Sequence, residues 1–396
     1  MSLYDAIVLG AGGIGSAALS ALARRGARVL GIERFGPAHD QGSSHGRTRM
    51  IRQAYFEHPD YVPLVLRSYE LWRELEARRG ERLFFESGLL EVGPADGVVV
   101  PGVVRSAQQH GLQIETLSGG EVTRRWPGFR VPDGMTGVYE PRAGYLLVEA
   151  CVEAQLADAV SAGAELHTGE TVIDCQPNAA EITVVTDRGR YNAVRLVITA
   201  GAWAGDWLAG GAGSHGRPSL CWPAGLNLKF EVRRKPQFWF ATNSVAYRAA
   251  NRSPAFLYET PGGVFYGFPE IDAGEIKVAE HSGGQRVDNP LAVSRDLDLA
   301  DRERVGAFIV ACLPEVSQRV THHAVCMYTM SADEHFVVDR HPADERLAFV
   351  AGLSGHGFKF APVLGEALAD LTLDGRSELP IGFLNCRRPG LQTNNG

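Results

Sequence analysis

The sequence predicts a mixed α/β protein in which a Rossmann-type β-α-β domain is interleaved with a domain built mainly from β-sheet. A glycine-rich turn joins an apolar strand to an Ala-rich helix near the N-terminus. Strand and helix patterns return after residue 147, and short alternating segments rich in Gly and Pro fill the stretches between. The chain has 396 residues, more than one hydrophobic core usually serves, so we expect two domains.

The N-terminal elements follow from apolar periodicity and turn residues. Residues 5–9 have the pattern of a buried strand, residues 15–25 that of a helix, and residues 28–33 that of a second strand. A longer helix is expected over residues 61–76, where apolar side chains recur on one stripe and Asp60 can serve as the N-cap. These segments form a β-α-β unit followed by a helix.

The later elements are predicted in the same way, with a change to short alternating segments beyond residue 86. The expected elements are a helix at 148–159, a strand at 165–167, a hairpin at 182–191, strands at 196–199, 265–268, 336–339 and 347–353, and a helix at 362–373. The sequence therefore divides into one domain of residues 1–86, 147–217 and 320–390, and a second domain of residues 87–146 and 218–319.

Composition and charge exclude several classes of protein. Hydrophobic residues make up 45% of the chain and charged residues 21%, which is typical of a globular protein. The formal charge is −7 and acids and bases are interspersed, so we expect no basic face for nucleic acid. No apolar run approaches the ~20 residues that span a bilayer. Small molecules are the expected partners, with neither nucleic acid nor membrane among them.

The six cysteines are scattered along the chain, with no C-x-x-C pair and no secretory leader before the first strand. This pattern favours neither a zinc site nor a disulfide framework, and no other metal motif is present. We therefore expect a protein of the reducing cytoplasm without a metal site.

A dinucleotide-binding signal lies at the first strand-to-helix turn. Gly10, Gly12 and Gly15 permit a tight turn whose N–H groups face a pyrophosphate. Glu33, at the end of the next strand, can accept hydrogen bonds from ribose hydroxyls. The alternative is merely a tight turn between strand and helix, but strand, helix and acid together favour a bound dinucleotide. The motif does not separate NAD from FAD.

Three basic residues form a candidate clamp for a carboxylate. Arg49 and Arg52 share a face if their segment is helical, and arginine offers a planar fork that matches a carboxylate. Lys359 follows a Gly-His-Gly turn at the end of a predicted strand, the edge where ligands bind in open α/β sheets. The alternative for each is a solvated surface cation.

Several other residues have a possible chemical role, and each also has a purely structural interpretation. Lys277 and His281 are four residues apart and share a face, and a buried ammonium can stabilise negative charge that develops on oxygen. Tyr266 and Tyr328 can contact a small substrate, although aromatic core is the default. Cys326 lies in an apolar stretch, where an inert buried thiol is the usual case, but a thiolate there could add to the 8-methyl carbon of a flavin.

Together these segments resemble the monomeric sarcosine oxidase and N-methyltryptophan oxidase family of flavoproteins, from Ala6 to about Phe383. The most specific matches are His45-Gly46, Thr48-Arg49, Ile51-Arg52, Tyr61-Val62-Pro63-Leu64, Arg125-Trp126-Pro127-Gly128, Tyr266-Gly267-Phe268-Pro269, Cys326-Met327-Tyr328-Thr329, Asp333-Glu334-His335-Phe336 and Ser354-Gly355-His356-Gly357-Phe358-Lys359-Phe360.

The resemblance implies a glutathione-reductase-like FAD domain, a sheet-based catalytic domain and FAD attached covalently to Cys326. It implies that Arg52 and Lys359 hold a substrate carboxylate and that Lys277 activates oxygen. The pocket would be lined by Tyr266, His281, Tyr328 and His356. The residues implied near the cofactor are Gly10, Gly12, Gly15, Glu33, Ser43, Arg49, Cys326, Gly355 and Lys359.

The reaction implied is oxidation of a secondary amino acid's C–N bond by hydride transfer to FAD, after which the imine hydrolyses and O2 is reduced to H2O2. Sarcosine is the first choice of substrate, with N-methyltryptophan or a cyclic imino acid such as proline or pipecolate as alternatives. Leu257 and Tyr258 are expected near the substrate entrance, where Tyr258 is bulkier than the family suggests. A monomer is expected. Two other hypotheses stay open: a dehydrogenase that passes electrons to a carrier, and a non-catalytic amino-acid sensor.

Overall fold

A computed structural model describes residues 3–208, 226 and 228–391. The strands are Leu3–Leu9 (β1), Val29–Glu33 (β2), Thr48–Ile51 (β3), Phe84–Phe85 (β4), Leu89–Pro94 (β5), Glu115–Ser118 (β6), Met135–Glu140 (β7), Gly144–Leu147 (β8), Glu165–Thr168 (β9), Val172–Pro177 (β10), Ile182–Thr186 (β11), Arg190–Ile198 (β12), Glu231–Ala241 (β13), Ala255–Thr260 (β14), Gly263–Gly267 (β15), Glu275–Glu280 (β16), Gln285–Val287 (β17), Val320–Met330 (β18), Val337–His341 (β19) and Asp344–Ala351 (β20). The α-helices are Gly13–Arg24 (α1), Tyr61–Arg79 (α2), Val99–His110 (α3), Gly119–Arg125 (α4), Val148–Ser161 (α5), Ala204–Leu208 (α6), Leu299–Cys312 (α7) and Ala361–Leu373 (α8).

The first sheet has a parallel centre in the order β9, β2, β1, β12 and β20. Its strands are nearly continuous apolar runs, because buried apolar side chains pack on both faces. The cluster on one face includes residues of the helices, and the cluster on the other includes residues of β10 and β11. Helix α1 packs against α5 and α8 on the first of these faces. The predicted mixed α/β fold is therefore confirmed, and the carboxyl ends of β1, β2 and β12 open toward one edge of the sheet.

The second sheet is mainly antiparallel and runs in the order β17, β13, β16, β15, β14, β5, β7 and β6, with β18 paired to β13. Strand β18 follows the predicted boundary at residue 320, and it pairs with β13 of the second sheet. The predicted boundary between residues 217 and 218 lies outside the described residues.

Three helices in the sheet-rich stretches were not predicted: α3, α4 and α7. The apolar residues of α3 are mostly Val, which favours strands, so tertiary packing against β5 overrides local preference there. Helix α2 begins at Tyr61 as predicted, but Asp60 is already in helical conformation and makes no side-chain cap. The predicted N-cap is wrong.

A third, small sheet joins β3, β8 and β4. Because β3 is a strand, Arg49 and Arg52 do not share a helical face as the sequence suggested. Arg49 lies within β3, and Arg52 follows its last residue. Across the described part of the chain, no helix is both long and apolar enough to cross a membrane. The cysteines in that part are buried: Cys151, Cys175, Cys312, Cys326 and Cys386.

Candidate functional site

A cavity of about 450 Å³ extends from the open edge of the first sheet to the face of the second sheet. One end is lined by the glycine turn after β1 and by the end of β2. The other end is lined by β3, β15, β18 and the turn before α8. The first is called the nucleotide end here and the second the reaction end. Elements far apart in sequence thus meet at one cavity.

The nucleotide end depends on close backbone approach. Gly10 has φ +88°, and a Cβ on Gly15 would lie 1.8 Å from the Gly10 carbonyl oxygen. A Cβ on Gly12 would meet nothing within 4 Å, so this glycine leaves open space beside the cavity. The Glu33 carboxylate accepts hydrogen bonds from the N–H groups of Ala11 (2.8 Å) and Phe35 (3.0 Å), which fix it at the edge of the sheet.

At the reaction end, Arg52 is buried and already paired with a carboxylate. Its Nη2 atom lies 2.6 Å from each carboxylate oxygen of Glu57, and both residues line the cavity. The rings of Tyr55 and Phe56 pack on the guanidinium. Burial opposes ionisation of Glu57, but the neighbouring Arg52 charge lowers the pKa of this carboxyl to about 2. Arg52 is therefore a preformed carboxylate receptor.

A second carboxyl lies behind Arg52. Glu91 on β5 is fully buried, its Oε1 atom is 3.8 Å from Arg52 Nε, and neither of its oxygens has a hydrogen-bond partner among the described residues. Burial raises the pKa of Glu91 to about 8, so the carboxyl is protonated at neutral pH. Glu57 and Glu91 were not predicted from the sequence. An acid inside the apolar run of β5 was the available signal for Glu91.

Lys359 is held in a single 3-10 turn before α8. Its Nζ atom donates to the His356 carbonyl oxygen (2.7 Å), and its own carbonyl oxygen accepts from Trp72 Nε1 (3.1 Å) on α2. Burial, followed by the Arg52 charge, lowers the pKa of Lys359 to about 7. Tyr55 connects this lysine to His356, with its hydroxyl 2.6 Å from His356 Nδ1 and 3.4 Å from Lys359 Nζ. Lys359 thus titrates near neutral pH.

Two tyrosines and a histidine line the cavity at the same end. His281 Nδ1 lies 3.3 Å from the Tyr328 hydroxyl, and the rings of His281 and Tyr266 are 6.4 Å apart. Burial, followed by the charge of Lys235, lowers the pKa of His281 to about 3. Gly355 allows close approach here, because a Cβ on it would lie 2.3 Å from the Tyr328 ring. The imidazole of His281 is therefore neutral at physiological pH.

Cys326 lies directly behind the cavity wall. Its Sγ atom is 3.3 Å from Arg49 Nη2 and 3.3 Å from the Ser43 carbonyl oxygen. Arg49 also donates to that carbonyl oxygen (2.7 Å), and the Ser43 hydroxyl donates to the Met327 carbonyl oxygen (2.6 Å). The thiol is thus next to a guanidinium and is separated from the cavity by residues that line it.

Lys277 lies on β16 and is 3% exposed. Its Nζ atom donates to the carbonyl oxygens of Gly46 (2.6 Å) and Thr48 (3.0 Å). Lys277 therefore contacts the start of β3 without lining the cavity itself. Gly46 has φ +93°, and a Cβ there would lie 2.0 Å from the Gln237 side-chain oxygen. Burial holds the pKa of Lys277 well below its usual value.

Most residues singled out from the sequence meet at the cavity. Those that line it are Gly10, Gly12, Glu33, Ser43, Arg49, Arg52, Tyr266, His281, Tyr328, Gly355, His356 and Lys359. Gly15, Lys277 and Cys326 lie behind this lining. Leu257 lines the cavity, but the expectation for Tyr258 is wrong: as the neighbouring residue on β14 it points to the opposite face, and it packs against Phe256 and Phe308.

Comparison with known proteins identifies the family. The profile described as FAD dependent oxidoreductase matches residues 5–371. The chain belongs to the FAD-dependent oxidoreductase family.

Individual relatives cover almost the whole of this FAD-dependent oxidoreductase. Monomeric sarcosine oxidase of Streptomyces avermitilis is 40% identical over 390 residues, which are 97% of each chain. N-methyl-L-tryptophan oxidase of Yersinia pestis is 38% identical over 97% of this chain and 99% of its own. The solved open form of NikD, an unusual amino acid oxidase essential for nikkomycin biosynthesis, has a TM-score of 0.84 and 26% identity, covering 97% of this chain and 98% of that chain. The resemblance stated from the sequence is confirmed.

The cavity of this oxidoreductase fits FAD. Gly12 leaves open space where a pyrophosphate would approach the N-terminus of α1, and Glu33 stands at the end of β2 for a ribose. Residues 42–44, together with the turn around Gly355, line the path from there to the reaction end. These residues would hold the cofactor along the cavity.

Proposed function

We propose that the protein oxidises the C–N bond of a secondary, N-methyl amino acid such as sarcosine, with O2 as the electron acceptor and H2O2 as a product. The imine that results hydrolyses to an amine and formaldehyde. FAD, when bound, accepts the hydride from the substrate carbon and delivers the two electrons to O2. The names and near-complete coverage of the relatives support this substrate class.

The observation that carries the proposal is the pair of buried cations at the reaction end. Arg52 follows β3 and Lys359 precedes α8, and both line the same end of the cavity. The position of Glu57 on the Arg52 fork indicates where a substrate carboxylate would bind. Two cations on one carboxylate would orient the substrate relative to the cofactor, which turns binding energy into alignment of the reacting atoms.

The other residues at this end would act on the amine. Hydride transfer requires the amine lone pair, so a bound ammonium must lose its proton. The positive charges of Arg49, Arg52 and Lys359 disfavour a further cation nearby and so promote that loss. Tyr266 and Tyr328 would pack against the substrate's apolar part, and the neutral His281 ring would offer a hydrogen-bond acceptor to the amine.

We infer further that Cys326 carries FAD through a thioether to its 8α carbon, that Ser43 and Gly355 contact the cofactor, and that Lys277 assists oxygen reduction. The contacts of the Cys326 thiol with Arg49 and with the Ser43 carbonyl oxygen support the first inference, because both of these residues line the cavity. The burial of Lys277 supports the last, since a desolvated ammonium interacts strongly with developing negative charge. The protein would work as a cytoplasmic monomer.

Anaerobic reduction of the flavin tests the function directly. The purified holoprotein is mixed without oxygen with sarcosine, N-methyltryptophan, proline, pipecolate or D-alanine, and the visible flavin absorbance is followed. Bleaching by an N-methyl amino acid, followed by H2O2 formation once air is admitted, is the expected result. If all five amines perturb the spectrum without bleaching, the protein is a sensor and the proposed function is wrong.

A further inference from the structure

Lysine is rare in this chain, and arginine supplies most of its basic residues. Only four of the 39 Lys and Arg residues are lysines: Lys229, Lys235, Lys277 and Lys359. Lys229 is exposed, and Lys277 and Lys359 already have roles in the proposed reaction. Lys235 is the remaining one. It is only 3% exposed, although lysine is almost never buried without a specific partner.

The Lys235 ammonium is held by main-chain carbonyl groups. Its Nζ atom donates to the carbonyl oxygens of His281 (3.0 Å), Ser282 (2.6 Å) and Gly283 (3.4 Å). An ammonium has three donors, and all three are used by this one turn. Burial lowers the pKa of Lys235 to about 8, so it carries its charge at neutral pH.

The turn fits a lysine closely. Gly283 and Gly284 have φ values of +62° and +107°, and a Cβ on Gly284 would lie 3.0 Å from Lys235 Cδ. The planar, wider guanidinium of arginine does not match three converging carbonyl groups as the compact ammonium does. This explains why a chain that otherwise prefers arginine has a lysine here.

Lys235 also faces the strand that carries two other site residues. It is the cross-strand partner of Cys326, and its Nζ atom lies 5.1 Å from the centre of the Tyr328 ring. The ammonium therefore connects β13 and β18 to the turn that begins with His281. His281, the first residue of this turn, has its Nδ1 atom 3.3 Å from the Tyr328 hydroxyl on β18.

We propose that Lys235 is a positioning residue for the reaction: it holds the His281 imidazole against Tyr328 at the reaction end and keeps that ring uncharged. This inference rests on the proposed function for its catalytic meaning, but not for its geometry. A neutral ring keeps one nitrogen as an acceptor for the substrate amine, whereas an imidazolium would have only donors and would repel a substrate ammonium.

The electrostatic part of the proposal depends on the groups around His281. They are Lys235 on β13, Tyr266 on β15, Tyr328 on β18, Glu57 after β3, and His356 and Lys359 before α8. Burial contributes most to the lowered pKa of His281, the Lys235 charge comes next, and Glu57 opposes both. Removal of the Lys235 charge should therefore move the pKa of His281 upward.

The first test is a histidine titration by NMR on ¹⁵N-His-labelled holoprotein, with His281→Asn used to assign the signal. In the unaltered protein the His281 ring should stay neutral down to about pH 5, whereas in Lys235→Met it should titrate closer to the ordinary histidine value of about 6.5. Lys229→Met is the matched control and should leave the signal unchanged. The proposal is wrong if His281 titrates identically with and without Lys235. Lys235→Gln, which keeps a donor without the charge, gives the same comparison should the methionine variant not fold.

A kinetic double-mutant cycle supplies the second test. The rate of anaerobic flavin reduction in Lys235→Met should acquire a new acidic limb near the raised pKa of His281. In the His281→Asn background, Lys235→Met should change the rate by less than about twofold, because the residue acts through His281. Equal effects of Lys235→Met in both backgrounds would overturn the proposal. If no amine reduces the flavin of the unaltered protein, the proposed function fails, while the titration still decides the role of Lys235.

Discussion

Arg52 and Glu57 form an ion pair inside the cavity, with Arg52 Nη2 2.6 Å from both carboxylate oxygens of Glu57. The pair lies where the proposed substrate carboxylate would bind. Substrate binding therefore requires that the substrate carboxylate replaces the Glu57 carboxylate on Arg52. The free energy needed to separate Arg52 from Glu57 reduces the net free energy of substrate binding.

Glu57→Gln should strengthen carboxylate binding. The substitution removes both the competitor for Arg52 and a negative charge at the reaction end, so the Kd of propionate, which has no amine to oxidise, should fall by about tenfold, equivalent to about 1.4 kcal/mol. Isothermal titration of the holoprotein measures this change. Glu70→Gln, on the exposed face of α2, is the matched control. Weaker propionate binding in Glu57→Gln would show that Glu57 supports the ligand instead of competing with it.

Carboxylate binding should weaken as the pH rises above neutrality. Burial and Arg52 lower the pKa of Lys359 to about 7, so the lysine is charged below that pH and loses its proton above it. An anion that requires the charged form should lose about tenfold in affinity per pH unit above the pKa. Lys359→Met should remove most of this slope. A slope that persists in Lys359→Met but disappears in Glu91→Gln would assign it to Glu91 instead.

Glu91 should make stability depend on pH. Its pKa is about 8 in the folded protein, above the ordinary value of 4.5, so the folded state binds the extra proton between these values. Its contribution to stability is fully present below the unfolded pKa and is lost as the pH rises through the folded one. Relative to Glu91→Gln, the unaltered protein should therefore lose Tm between about pH 5 and pH 9. Parallel Tm profiles for the two proteins would contradict this assignment.

Cys326→Ala should release the cofactor. Acid-precipitated unaltered protein should remain yellow, and its intact mass should include FAD, whereas the alanine variant should yield colourless protein and free FAD. Cys312→Ala, which alters another buried thiol, is the control and should keep the bound flavin. Retention of FAD after precipitation of Cys326→Ala would show that the attachment is elsewhere.

Lys277→Met should slow the oxidative half-reaction selectively. Loss of a buried ammonium that stabilises reduced oxygen should lower the rate of flavin reoxidation by at least about 10²-fold, while anaerobic reduction changes much less. Stopped-flow measurement of the two half-reactions separates them, with Lys229→Met as the surface control. Comparable losses in both half-reactions, or reoxidation at an unchanged rate, would contradict a role of Lys277 in oxygen reduction. Slow reoxidation of the unaltered protein by O2 would favour electron transfer to a carrier.

The sequence by itself determined the parts of this protein that depend on local patterns. The glycine turn and Glu33 required only the strand, turn and helix that surround them, and the strongly periodic elements β1, α1, α2 and α8 lie close to their predicted positions. The family followed from several short motifs in a fixed order.

Only the tertiary structure decided which of these residues act on one another. Strand periodicity separates the two faces of a strand but does not say what lies opposite each face, so Leu257 and Tyr258 could not be told apart. The pairing of Arg52 with Glu57, the burial of Glu91 behind them, and the contact of Lys235 with the turn at His281 depend on where chain segments cross in space. Burial and neighbouring charge fix the ionisation of these groups, and both arise only when distant strands come together.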